Sequence, residues 1–178
     1  MHEIILPDAK PALEWINNRV LQKVSPKRRH ALAQLEFATA HGTWARARGC
    51  GMAGTEWRFQ VQPPGKISHT LVPDVAYLTY DRLPIEEQAT TEIPRLAPDV
   101  VVEVRSADDR QDDIDEKVRV YLAAGTNVIF LVDPDERTVA IVDARGSRVV
   151  GNDGVLEHPT LSDFTMQVRT LFDLPRPK

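Results

Sequence analysis

Glu103 stands inside a run that is otherwise hydrocarbon. The segment Pro98-Asp99-Val100-Val101-Val102-Glu103-Val104 has the continuous β-branched character of a strand buried on both faces. Taking an isolated carboxylate out of water costs several kcal/mol, so Glu103 needs a cation beside it. Arg105, two residues on and therefore on the same side of a strand, offers one. A second acid, Asp74, follows a proline in the apolar stretch Leu71-Val72-Pro73-Asp74-Val75-Ala76-Tyr77. An aspartate after proline is commonly no more than a turn former. If the two strands are neighbours, however, carboxylates about 4 Å apart repel by ~4 kcal/mol at an effective dielectric near 20, and a divalent cation reverses that sign. Oxygen-only ligation with room for water selects magnesium or manganese over zinc.

Other residues carry both an ordinary and a chemical reading. Lys117 lies four residues after Asp113, the spacing of a helical ion pair worth only about 0.3 to 0.5 kcal/mol. It also sits beside the apolar stripe of Ile114, Val118 and Tyr121, along which its stem could run toward the sheet. Tyr121 itself reads as core with a wet hydroxyl. Lys27, Arg28, Arg29 and His30 crowd a helix start, where the dipole gives cations no benefit, so they either face solvent or meet an anion such as phosphate. The acids Asp108, Asp109, Asp112, Asp113, Asp115 and Glu116 read as a solvated helix start.

The elements that must position these residues follow from pattern and punctuation. Leu13 and Trp15 alternate, Asn17-Asn18 suits a tight turn, and Val20, Gln22 and Val24 alternate again, giving an opening hairpin. Ser25 as N-cap and Pro26 at the first helical position predict a helix to about His41, closed by Gly42. Residues 55–61 predict a strand, and residues 71–80 another, with Pro73 placing it at an edge or in a bulge. Residues 81–97, with Pro84 and Pro94 among many charges, predict a long excursion loop, a candidate lid or dimer element. Ser106 and Asp109 predict a capped helix start, with the helix closed by Gly125. Val128-Ile129-Phe130-Leu131-Val132 completes a right-handed parallel crossover. Strands over residues 138–142 and near Val149 follow, and Phe164, Met166, Val168, Leu171 and Phe172 are expected to fold back on the core.

Composition narrows the setting. The chain has 178 residues, 42% of them hydrophobic, and one cysteine, Cys50, which excludes an internal disulfide and a cysteine-based zinc site. A cytoplasmic setting is expected. Met1 to Pro7 lack a basic start and are stopped by proline before a signal-length apolar run forms, and no later apolar run approaches the length that spans a bilayer. The net charge of −4 conceals an asymmetry. Residues 19–48 carry seven basic side chains against Glu36 alone, and residues 81–116 carry twelve acids against four arginines. An acidic centre beside a basic segment suits either an enzyme that holds a cation and a polyanion or a mixed solvated surface.

Order and spacing join these pieces. The Pro73-Asp74 strand is followed by Asp99-Val100-Val101-Val102-Glu103-Val104-Arg105-Ser106. Next come the helix over residues 112–121 with Lys117, then Tyr121-Leu122-Ala123-Ala124-Gly125, then Leu131-Val132-Asp133-Pro134. This succession resembles the bacterial family of putative restriction endonucleases within the PD-(D/E)XK superfamily, and residues 14–25 with the His30 helix resemble that family's beginning. The resemblance implies an α/β fold with a restriction-endonuclease-like αβββαβ core, an N-terminal β-hairpin and extra C-terminal strands, as one domain over residues 1–178. It implies Asp74 and Glu103 as the two metal-binding acids. Arg105 stands where the superfamily's usual lysine follows the second acid, and a guanidinium is a poor proton acceptor. Lys117 matches a position to which that lysine has moved. Arg19 replaces a usual acid after the first turn, while Glu14 matches an earlier acidic position and implies an outer metal contact.

The activity so implied is Mg2+- or Mn2+-dependent hydrolysis of DNA phosphodiester bonds. Asp74 and Glu103 would hold the metal and Lys117 would orient water, with Arg28, Arg29, His30 and Arg105 as candidate phosphate contacts. Two alternatives stay open: a nuclease-like module that binds nucleic acid or protein without cutting, and a structural homodimer whose acidic pair is neutralised by arginine.

Overall fold

The computed structural model describes residues 4, 6–23 and 25–174; Met1, His2, Glu3, Ile5 and the strand position expected at Val24 lie outside the described residues. The chain opens with a hairpin, β1 (Leu13–Ile16) and β2 (Arg19–Gln22), then α1 (Arg28–Arg48) and β3 (Gly51–Thr55). A second hairpin, β4 (Phe59–Val61) and β5 (His69–Leu71), precedes β6 (Val75–Thr79), the short α2 (Ile85–Gln88) and β7 (Val100–Val104). The crossover helix α3 (Gln111–Ala123) leads to β8 (Val128–Asp133), β9 (Thr138–Asp143) and β10 (Gly146–Val150). The chain then closes with β11 (Val155–Leu156), β12 (Met166–Gln167) and a 3₁₀ turn, Val168–Leu171.

Six strands form the central mixed sheet in the order β10-β9-β8-β7-β6-β3. Only β7 and β8 are parallel, as a strand-helix-strand crossover requires. Taken in order, α1, β3, β6, β7, α3 and β8 are the αβββαβ core, with β9 and β10 as the added strands. The two faces bury different partners. Val75, Tyr77, Val100, Val102 and Phe130 pack with Phe37 of α1 and with the folded-back Phe164, Met166, Val168 and Leu171. Ala76, Leu78, Val101 and Ile129 pack with Val120 and Tyr121 of α3 and with Ile16 of the first hairpin. The alternation along β6 and β7 thus separates an α1 side from an α3 side.

Several boundaries differ from the sequence reading, each for a local reason. Helix α1 starts after Lys27 rather than at Pro26, and it runs through Gly42 to end at Gly49, whose φ of 63° is the left-handed stop. A mid-helix glycine costs about 1 kcal/mol relative to alanine. The stripe Ala33, Phe37, His41 and Ala45, four residues apart and buried throughout, outweighs that cost. Strand β3 was not evident because it carries two glycines. Gly51 is required there, since a Cβ would lie 2.5 Å from the Leu78 carbonyl oxygen.

The single strand expected over residues 71–80 is two strands in different sheets. The chain leaves β5, crosses through Val72, Pro73 and Asp74, and enters β6 inside the main sheet, between β7 and β3, so Pro73 marks a crossing rather than an edge. The Asp109 carboxylate does accept the Ser106 N–H, at 2.8 Å, but as a turn before the helix, because α3 begins only at Gln111. The 81–97 excursion contains α2, pinned to the sheet by Gln88, whose amide donates to the Thr79 and Leu83 carbonyls at 3.1 and 2.9 Å.

Candidate active site

The central acids meet because of strand register. β6 and β7 pair antiparallel with Val75 opposite Val102 and Ala76 opposite Val101. Continuing that register one residue sets Asp74 opposite Glu103, on the α3 side of the sheet. Pro73, lacking an N–H, ends the ladder there. The carboxylate of Asp74 then takes over the ladder's role, as its Oδ2 accepts the Val104 backbone N–H at 2.6 Å. A side chain standing in for a strand neighbour fixes its own position, and Asp74 is only 1% exposed.

A third acid arrives from β1. Asn17 and Asn18 both have positive φ, 50° and 57°, the tight turn expected for this hairpin. The apolar alternation of Leu13 and Trp15 points to the wrong face, however: Glu14 and Ile16 are the buried pair. Glu14 Oε1 accepts the Val72 N–H at 2.9 Å, and its Oε2 meets Lys117 Nζ at 2.6 Å. The hairpin tip is fastened to α3 by Asp113, which accepts from Arg19 and from Asn17 Nδ2, the latter at 2.7 Å. Asp113 is therefore a buried anchor and not one of a row of solvated acids.

The cations complete the arrangement. With Asp113 occupied by the hairpin, the Asp113–Lys117 helix pair is absent, and Lys117 instead bridges Glu14 and Glu103 Oε2, at 2.6 and 3.3 Å. It shares a helix face with Ile114 and Tyr121, and the Tyr121 hydroxyl lies 3.5 Å from Glu103 Oε1. The buried Glu103–Arg105 pair does not form. Arg105 turns to Gln111 and Asp133, at 3.0 and 3.5 Å, on the rim. Lys23, just past β2, places its Nζ 2.6 Å from Asp74 Oδ1, and His30 Nε2 lies 3.3 Å from Asp74 Oδ2. His30 thus faces Asp74, while Arg28 is exposed and Arg29 pairs with Asp135 at 2.7 Å.

These contacts line a cleft of about 190 Å³ whose walls are β2, the β7 end, the start of α3 and Ile129 and Leu131 of β8. Burial works against ionising every group in it. Lys23 and then His30 outweigh burial at Asp74 and hold its carboxyl well below the ordinary range. At Glu103, burial together with the negative charge of Glu14 and Asp74 prevails over Lys117 and pushes the carboxyl up to about 7. Both lysines are held charged: burial lowers each, but Asp74 foremost for Lys23 and Glu103 foremost for Lys117 raise them by more. Three acids against two lysines leave surplus negative charge, and Glu103 expresses it by keeping its proton near neutrality.

Donor chemistry fits a hard divalent cation, since Asp74, Glu103 and Glu14 offer only oxygen. Among the described residues no three His, Cys, Asp or Glu side chains stand together as a ready ligand shell. Magnesium needs none, because it keeps several waters and is commonly held by one or two carboxylates.

Residues 2–169 match the family described as Uma2, putative restriction endonuclease. The chain belongs to the Uma2 family. A similar solved structure comes from Anabaena variabilis and is described as a putative nuclease belonging to DUF820. It is 27% identical, covers 94% of this chain and 93% of its own, and superposes with a TM-score of 0.83. No curated protein matches the chain. The residues of this Uma2 chain that sequence reasoning overlooked are Lys23, counted only among the seven basic side chains of residues 19–48, and the contacts that His30 and Asp113 make. One signal was present: Arg19, Leu21 and Lys23 alternate along one face of the hairpin, and all three line the cleft.

Proposed function

We propose that this protein hydrolyses DNA phosphodiester bonds with Mg2+ or Mn2+ held by Asp74 and Glu103, Glu14 serving as an outer contact. The observation that carries the reading is the convergence of Glu14, Asp74 and Glu103, each no more than 13% exposed, with Lys117 on one cleft from four separate chain segments. A bound divalent cation would supply polarisation of the phosphoryl group and activation of water. The chain's own residues do the rest. Asp74 is held rigid by the Val104 N–H, Glu103 is steadied by Tyr121, and Lys117 presents a fixed positive charge where an attacking water and a developing oxyanion need one. Arg105 on the rim, with Arg28 and Arg29 at the α1 start, supplies phosphate-backbone contacts that carry no sequence preference. Among the described residues no helix is long and apolar enough to cross a membrane.

A second reading, a nuclease-like module that binds without cutting, is favoured by one feature: Arg105 and not lysine follows Glu103 by two residues. Calorimetric titration with Mn2+ tests the metal site. Binding by the parent and its loss in Asp74→Asn are expected, and equal binding by both would reject the site. Incubating supercoiled, linear and single-stranded DNA with Mn2+ then separates the two readings. Binding of DNA by the parent with no cleavage of any form leaves the binding module.

A further inference from the structure

Asp74 has no oxygen to spare. Its Oδ2 is taken by the Val104 N–H at 2.6 Å and by His30 at 3.3 Å, and its Oδ1 by Lys23 Nζ at 2.6 Å. Resting on the metal-site reading above, we infer that Lys23 is the resident cation of Asp74. It and a divalent metal alternate on Oδ1, and the displaced ammonium becomes a ligand of the substrate phosphate.

The choice of partner to be displaced follows from what each would lose. Removing the Val104 N–H from Oδ2 would orphan a buried backbone donor in the middle of the sheet. Displacing Lys117 would strip two buried carboxylates at once, because the same ammonium serves Glu14 and Glu103. Lys23 has other acceptors within reach. Its Nζ also donates to the Val72 carbonyl at 2.8 Å and lies 3.4 Å from Glu56 Oε2, so two of its three donors stay satisfied when it lets go of Asp74. A compact ammonium on a four-carbon stem makes such a shift with small movement.

Position supplies the second half. Lys23, His30 and Asp74 form the wall shared by the acid cleft and a second, broader groove bordered by Pro11, Pro26, Gln34 and Arg58. An ammonium released from Asp74 and still held by Val72 and Glu56 sits at that junction, where a backbone phosphate entering from the groove meets the acids. The lysine then neutralises one substrate charge without a second metal ion.

The test compares parent, Lys23→Met, Lys23→Gln, Lys23→Arg and Asp74→Asn. Lys23→Gln keeps a neutral donor toward Asp74 should the methionine variant not fold. Mn2+ calorimetry without DNA should show Lys23→Met and Lys23→Gln binding about tenfold or more tightly than the parent, because the competing cation is gone. Their metal-free thermal midpoints should fall and recover with saturating Mn2+. Single-turnover cleavage at saturating Mn2+ should drop at least about a hundredfold, with Lys23→Arg recovering part of it. Unchanged or weaker Mn2+ affinity in both neutral variants overturns the exchange, and undiminished cleavage overturns the phosphate role. If Asp74→Asn binds Mn2+ as the parent does, the metal-site reading itself fails, a result the Lys23 variants cannot produce.

Discussion

Replacing Lys117 with methionine removes the one cation shared by Glu14 and Glu103 while keeping the length of the stem along α3. The lost contacts are short, 2.6 and 3.3 Å, and the three side chains are only 14%, 4% and 13% exposed. Breaking a buried pair from one side costs about 3 to 5 kcal/mol, because the remaining charge stays desolvated and unpaired. Glu103 can escape part of that cost by holding its proton, which its carboxyl already does up to about pH 7 in the presence of Lys117. Without Lys117 that pKa rises further. Above about pH 7 the folded variant keeps a proton that the folded parent has released, so its deficit grows as pH rises past 7, while below 7 both folded forms hold that proton and the deficit stays constant. At pH 8 a loss of about 3 kcal/mol corresponds to roughly 6 to 12 °C for a chain of this size. Thermal unfolding in EDTA at pH 8 and pH 6 measures both the loss and its pH dependence. Cleavage in single turnover with saturating Mn2+ should fall at least about a hundredfold. Arg105→Met is the control: its side chain is 38% exposed and its partners lie on the rim, so it should cost under about 1 kcal/mol. Equal midpoints for parent and Lys117→Met at pH 8 would refute the bridging role, and full cleavage by the variant would refute its place in the chemistry.

Two further outcomes are expected. His41, fully buried among the rings of Phe37, Trp44, Tyr77 and Phe164, has neither ring nitrogen bonded, and burial lowers its pKa from 6.5 to about 4. Between those values only the unfolded state takes the proton, so the parent loses stability as pH falls from 6.5 to 4. His41→Leu should gain about 3 kcal/mol on the parent across that window in urea unfolding, and parallel curves would contradict the assignment. Replacing Lys27, Arg28 and Arg29 with alanine should reduce the salt slope of DNA binding by roughly 2 in log–log form, less than three full contacts because Arg29 is engaged by Asp135, and an unchanged slope would assign them to solvent.

Much of the fold was legible because its central elements obey one rule at a time. β7 is apolar but for Glu103 and β8 is apolar up to Asp133, α3 has a clean stripe, and Asn17-Asn18 fixes a turn, so pattern alone located them. The failures cluster where tertiary packing overrules a local cue. Gly42 looks like a helix stop until Phe37, His41 and Ala45 are seen to press one continuous face onto the sheet. Gly51 and Gly54 look unlike a strand until the Leu78 carbonyl and Tyr77 are found packed against Gly51. Pro73 looked like a bulge in one strand, but it divides two strands of different sheets.

Of the candidate site, the acids and Lys117 were legible in the sequence and Lys23 was not, and the reason is an asymmetry of pattern. A carboxylate among valines violates the expected alternation and announces a cost, whereas a lysine at the end of a hairpin looks like any solvated charge. The cations that balance these acids lie far along the chain: Lys23 from Asp74, Lys117 from Glu14, Arg19 from Asp113. No local spacing carries those pairings; they exist once β6 and β7 set Asp74 opposite Glu103 and α3 closes over them. The docking of β1–β2 is therefore part of the site's chemistry and more than scaffolding. The hairpin that carries Glu14 to Lys117 is held at its tip by Asn17 and Arg19 on Asp113 and along β1 by the Val72 N–H on Glu14, so its docking brings the third acid into the charge balance at Glu103.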